Sequence, residues 1–228
     1  MREAFHDQLA SIFDDLVGIA NEVQGAVSRA TEALLEGDAE IAESVITHDA
    51  EIDAARERVE EHAFSLLSLQ QPVAGDLRTL VAALRMVAEL ERMGDLAVHV
   101  AKIARLRVPS TAVPTDAEPT IRRMAMVAEL MVGKAAEVIA ERDVAGAAEL
   151  ARADEEMDHL RRSSFRELLG SNWKHGIEPA VDLALLGRYY ERIADHAVSM
   201  ARRVVYLVTG IHPEPLESRL EAVSDPGS

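Results

Sequence analysis

Apolar residues at Phe5, Leu9, Ile12, Leu16, Ile19, Val23, Ala26, Ala30 and Ala33 recur in alternating steps of four and three. That is the seam of a long helix packed in a left-handed bundle. Gly37 ends the pattern, and Asp38 is placed to cap a second helix whose seam runs Ile41, Val45, Ile52, Ala55, Val59, Leu66 and Leu69 before Pro72. A third helix spans about 76–107, with Ala83, Met86, Leu90, Met93, Ala97, Val100 and Ala104 on its seam. Pro109, Pro114 and Pro119, among Ser and Thr, mark a linker. The methionines at 86, 93, 124, 131, 157 and 200 keep seam spacing and read as core filler.

The pattern then repeats. Ile121, Met124, Ala128, Met131, Ala135 and Val138 stand 105 positions after Leu16, Ile19, Val23, Ala26, Ala30 and Ala33, and Asp38, Asp49 and Asp53 map onto Asp143, Asp154 and Asp158 at the same offset. The third helix returns at offset 100, Glu91-Arg92-Met93-Gly94-Asp95 as Glu191-Arg192-Ile193-Ala194-Asp195. The change of offset predicts a five-residue shortening in the connection around Ser171–Pro179. With almost no alternating β-branched segment, the fold class is all-α: two tandem, sequence-related three-helix bundles made of six long helices. The first bundle is expected over 1–108, the linker over 109–119, the second bundle over 120–211 and a mobile C-terminal tail over 212–228, with one short turn around Leu216–Val223.

The net charge of −16 disfavours nucleic acid, whose phosphates require a basic footprint, and an anionic membrane surface; cations and basic protein faces fit better. The absence of cysteine excludes disulfides, thiolate metal sites and cysteine nucleophiles. The first residues lack the apolar stretch of a signal peptide and no run is long enough to span a bilayer, so a soluble cytoplasmic protein with no membrane insertion is expected.

Four carboxylate pairs with i, i+4 spacing carry the candidate chemistry: Asp49/Asp53, Glu91/Asp95, Asp154/Asp158 and Glu191/Asp195. Each pair shares a helix face that flanks the apolar seam. Pairs on neighbouring helices, brought together, would repel one another and favour a bound cation or raised pKa values. An all-oxygen set suits Mg, Ca, Mn or Fe, and His99 on the Glu91/Asp95 face would shift preference towards Fe or Zn. Against this, an acidic chain forms many such pairs on solvated faces, and Arg92 and Arg192 offer themselves as salt-bridge partners of the second-helix acids. Glu156-x-x-His159 has ferritin-like spacing, but its duplicate carries Ala54 in place of His. His48 and His62 fall on the second seam and read as buried, satisfied imidazoles. No phosphate-cradling glycine loop, GxSxG or HExxH motif occurs, so no catalytic residue is assigned and no enzyme is expected.

Together Asp49-Ala50-Glu51-Ile52-Asp53, Gln70-Gln71-Pro72-Val73-Ala74-Gly75-Asp76-Leu77-Arg78, Glu91-Arg92-Met93-Gly94-Asp95 and Glu191-Arg192-Ile193-Ala194-Asp195-His196-Ala197 resemble the PhoU family of bacterial phosphate-signalling regulators, in its actinobacterial form. The resemblance covers nearly all of residues 1–211. It implies metal binding (Fe, Zn, Mg or Mn) at the E(D)xxxD elements, here Glu91, Asp95, Glu191 and Asp195, with Asp49, Asp53, Asp154 and Asp158 as second-helix counterparts. It also implies a non-enzymatic adaptor, dimeric in assembly, that represses the phosphate-starvation response by coupling the ATPase of a phosphate ABC transporter to a sensor histidine kinase. The alternative is a carboxylate-rich protein that binds or buffers metal. In the second half Glu178-Pro179-Ala180-Val181-Asp182 departs from the pattern, lacking the Asp-Leu-Arg triplet.

Overall fold

Several helix boundaries have a local cause. Asp38 takes an extended backbone and its carboxylate accepts from the Glu40 and Ile41 amides (2.8 and 3.0 Å), opening the second helix; Asp143 repeats this with the Ala145 amide at 2.9 Å. Pro119 falls in the first turn of the fourth helix, where a missing amide costs nothing, so it begins a helix instead of prolonging the linker. Gly210, at φ +71°, ends the sixth by donating its amide to Tyr206. The computed structural model describes residues 2–211, and the helices are α1 (Arg2–Glu36), α2 (Ala39–Gln70), α3 (Gly75–Arg107), α4 (Glu118–Glu141), α5 (Val144–Leu168) and α6 (Ile177–Thr209). Among the described residues there is no strand, and no helix is long and apolar enough to cross a membrane. The expected tail, with its turn around Leu216–Val223, lies outside the described residues.

The five-residue difference between the halves falls elsewhere than expected. The α5–α6 connection is longer than the α2–α3 connection, and the loss is taken by α5, which has 25 residues where α2 has 32. Gly170-Ser171-Asn172 supports no further turn of helix, and the chain folds back with the Trp173 indole donating to the Gly176 carbonyl at 2.7 Å.

Helices α1, α3, α4 and α6 form the middle of the molecule: α1 packs on α3 and α4, and α6 on α3 and α4. Helix α2 lies outside against α1 and α3, and α5 outside against α4 and α6. A continuous apolar core therefore runs through both halves, and it contains all six seam methionines. One polar pair crosses it. The wholly buried Tyr190 hydroxyl of α6 lies 2.9 Å from the Thr31 hydroxyl of α1, which donates to the Val27 carbonyl. The duplicate positions, Leu90 and Ala136, are both apolar. Helices α3 and α6 run antiparallel, since Arg107 near the end of α3 pairs with Asp182 at the start of α6, while Arg78 at the start of α3 lies against Gly210 at the end of α6.

Candidate metal centre

The second-helix acids face the third-helix acids in both halves. Asp49 on α2 is held above the ordinary carboxylate range by its burial and by the carboxylates of Asp53, Asp95 and Glu91, with Lys102 opposing. Asp154 on α5 is pushed up to about 6 by burial and by Asp195, Asp158 and Glu191, against Arg202. The two sets are thus twins in composition, down to the cation that moderates each. The seam residues between the pairs set this facing: Ile52 and Met157 are buried, which turns Asp49/Asp53 and Asp154/Asp158 toward α3 and α6. α3 meets α2 at Gly94 in ordinary van der Waals contact. A β-carbon there would lie 3.5 Å from both an Asp49 carboxylate oxygen and the Ile52 side chain.

The sets differ in how the α3 and α6 acids are partnered. Glu91 is about a quarter exposed, with Arg92 Nε at 3.6 Å. Glu191 is 7% exposed, and both of its oxygens are taken by guanidinium groups: Arg161 donates at 2.8 Å and Arg188 closes on the other oxygen. In the first half the residue matching Arg161, Arg56, turns to Glu60 at 2.8 Å, and the position matching Arg188 is Ala88. Arg92 and Arg192 do not bridge to the second-helix acids. They reach forward along their own helices to Asp95 and Asp195, three residues on, at 3.8 and 3.7 Å.

The donor chemistry, four carboxylates to a set, fits a hard cation. Yet among the described residues no group of three or more His, Asp or Glu side chains is gathered closely enough to hold a metal ion. His99 is drawn elsewhere, stacking on Tyr189 of α6 with ring centroids 5.3 Å apart. Glu156 pairs with Arg123, His159 is exposed, and His48 is part-exposed between Glu22 and Glu51 instead of being buried.

Crowding of this kind has a measurable signature. The folded Asp154 carboxyl binds its proton more tightly than the unfolded one, so this group favours folding fully below about 3.8 and loses that contribution as pH rises through about 6. Asp154→Asn is expected to raise stability at pH 7 by about 1 kcal/mol, after allowance for its partial exposure, and to have no such effect near pH 4. Urea unfolding at the two pH values checks it, and an equal shift at both would rule out charge crowding.

The residues that periodicity overlooked lie between the halves. Glu89 of α3 accepts from Ser199 at 2.9 Å and Arg203 at 2.7 Å, and pairs with His196 Nδ1 at 2.6 Å. Burial alone would raise its carboxyl, but His196, Arg203 and Ser199 outweigh that and hold it at about 2. The signal lay in the differences between copies: Leu96, His99 and Ile103 become His196, Ser199 and Arg203, three polar residues on one face of α6.

The model of the PhoU domain matches the chain twice, over residues 16–104 and 121–204. The chain belongs to the PhoU family. Each PhoU domain therefore contributes one carboxylate set, and the match accounts for the doubled pattern of helices. Similar proteins include the phosphate-specific transport system accessory protein PhoU homolog 1 of Mycobacterium leprae, 46% identical over 94% of this chain and 96% of that protein. PhoU homolog 2 of Mycobacterium tuberculosis is 46% identical over 93% of this chain and all of its own length. Among solved structures, PhoU from Pseudomonas aeruginosa superposes with a TM-score of 0.82 at 28% identity, covering 91% of this chain and 100% of its own. The phosphate transport system regulatory protein PhoU from Streptococcus pneumoniae also gives 0.82, at 25% identity over 92% of this chain and 100% of its own.

Proposed function

We propose that this chain is a non-enzymatic, cytoplasmic regulator of phosphate uptake and signalling. It represses the phosphate-starvation response by coupling a phosphate ABC transporter, through its ATPase, to a sensor histidine kinase. The observation that carries the reading is the match along nearly the whole chain to proteins named as accessory to phosphate-specific transport. The molecule suits the role. It offers long rigid helices, an acidic surface able to meet basic faces of partners, and carboxylates rather than a nucleophile–base pair as its chemistry.

The carboxylate sets enter the proposal as regulatory elements. Asp49, Asp53, Glu91 and Asp95 would hold a cation such as Fe, Zn, Mg or Mn, which when bound supplies neutralisation of their mutual repulsion. Asp154, Asp158, Glu191 and Asp195 are the corresponding set, with Glu191 already neutralised by Arg161 and Arg188. Alkaline phosphatase output of the host in phosphate-rich medium tests the role. Deletion of the protein is expected to raise output to the starved level, and a strain carrying Glu91→Ala and Glu191→Ala reports whether these carboxylates serve repression. Output that stays repressed in the deletion strain would sink the regulatory reading.

A further inference from the structure

The Pro-to-Asp segments that open α3 and α6 differ between the halves, and the structure gives that difference a consequence. At the start of α6, Glu178 and Asp182 face Arg107 of α3. Arg107 donates to both Asp182 oxygens, at 2.6 and 3.0 Å, and to Glu178, so this end of the α3–α6 contact is charge-matched. The pseudo-equivalent end, where α3 starts and α6 finishes, carries the opposite charges. Glu178, Asp182 and Leu185 correspond to Arg78, Ala82 and Arg85, and Arg107 corresponds to Leu207. No acidic residue replaces the pair that Arg107 meets.

What remains is a groove of about 380 Å³ lined by Leu77, Arg78, Val81 and Arg85 of α3 and by Arg203 and Tyr206 of α6. Leu77 and Val81 are 41% and 37% exposed. On α3, Glu89 is spent on His196, Ser199 and Arg203, and Asp76, beside Leu77, lies 3.8 Å from the His6 ring of α1. Arg78 lies over the Tyr206 ring at 5.5 Å, and its buried Nε has no hydrogen-bond partner. In a chain of net charge −16, this is a cationic, partly apolar channel one helix face wide.

We propose that this groove is a docking surface for an acidic amphipathic segment of a partner protein, its carboxylates meeting Arg78 and Arg85 and its apolar side chains covering Leu77 and Val81. Charge complementarity identifies the occupant. Guanidinium groups pair with carboxylates in forked geometry, and the apolar strip between them is wasted on a small inorganic anion but suits a helix or extended peptide with Leu between its acids. An acidic segment is otherwise repelled by this protein, so the groove also confers selectivity.

Fluorescence anisotropy of a labelled peptide of repeating Glu-Leu-Glu-Glu-Leu, titrated with the full chain, tests this. Binding is expected, weakening several-fold between about 50 and 300 mM salt. Arg85→Glu, an exposed position that leaves packing intact, is expected to weaken it about tenfold, and Arg78→Glu combined with Arg85→Glu to abolish it. Arg162→Glu, the same charge change on α5, is expected to leave it unaltered. A peptide with Ser for Leu is expected to bind about fivefold more weakly. Equal affinity for Arg85→Glu and the unaltered chain overturns the proposal. So does displacement of the peptide by millimolar inorganic phosphate, which would make the groove a small-anion site. Binding seen only with a chain ending at Ile211 would likewise overturn it, by assigning the groove to the protein's own terminus.

Discussion

Replacing Tyr190 by alanine is expected to lower the unfolding free energy by about 3–5 kcal/mol, the cost of emptying a large aromatic site in a close-packed core. Tyr190 has no exposed surface, and burial holds its phenol well above its usual pKa, so it remains a neutral hydroxyl paired with Thr31. Tyr190→Phe isolates the hydroxyl and is expected to cost about 1 kcal/mol, because Thr31 keeps its bond to the Val27 carbonyl. Urea denaturation followed by far-UV circular dichroism separates the two variants. Because Tyr190 joins α6 of one half to α1 of the other within a continuous core, the loss should appear as an earlier single transition. A split transition, or variants differing by less than about 1 kcal/mol, would contradict the shared core.

The second large effect lies at Glu89. Its folded carboxyl is held at about 2 against an ordinary 4.5, so its contribution is fully present above about 4.5 and is lost as pH falls towards 2. With allowance for partial solvation, that contribution is about 2–3 kcal/mol. Glu89→Gln should forfeit most of it at pH 7, leaving Arg203 without its counter-charge, and should flatten the acid limb. Asp154 acts in the opposite sense over a higher window, gaining stability as pH falls from about 6 to 3.8. Between them, these two groups favour the folded state most near pH 4. Unfolding measured across pH 2–7 checks this, and an acid limb equally steep in Glu89→Gln would remove Glu89 as its cause.

Helices and caps were legible because they are local. Asp38 caps as read and its duplicate Asp143 does the same, the seam methionines are all buried, and the duplication follows from spacing alone. The pairing of second- with third-helix acids was legible too, since the seam beside each pair dictates which neighbour it meets. What periodicity does not encode is the choice among long, flexible cations. Arg161 and Arg188 converge on Glu191, while Arg92 and Arg192 stay on their own helices with Asp95 and Asp195. His99 could be placed on a face, but the aromatic ring that captures it belongs to the other half. The shortening between the halves was measurable by counting, yet counting could not say that the helix and not the loop had yielded.

Helices α2 and α5 each lean on one side of a four-helix middle, and nothing in the described chain covers their outer surfaces. Such flanking elements are the first to open in native-state fluctuations. Each carboxylate set spans the seam where one of these outer staves meets the trunk, so unrelieved repulsion there works as a spring beneath the stave. Protonation of Asp49 and Asp154, which that crowding favours, slackens the spring, so the hold of each stave on the trunk follows the acidity around it.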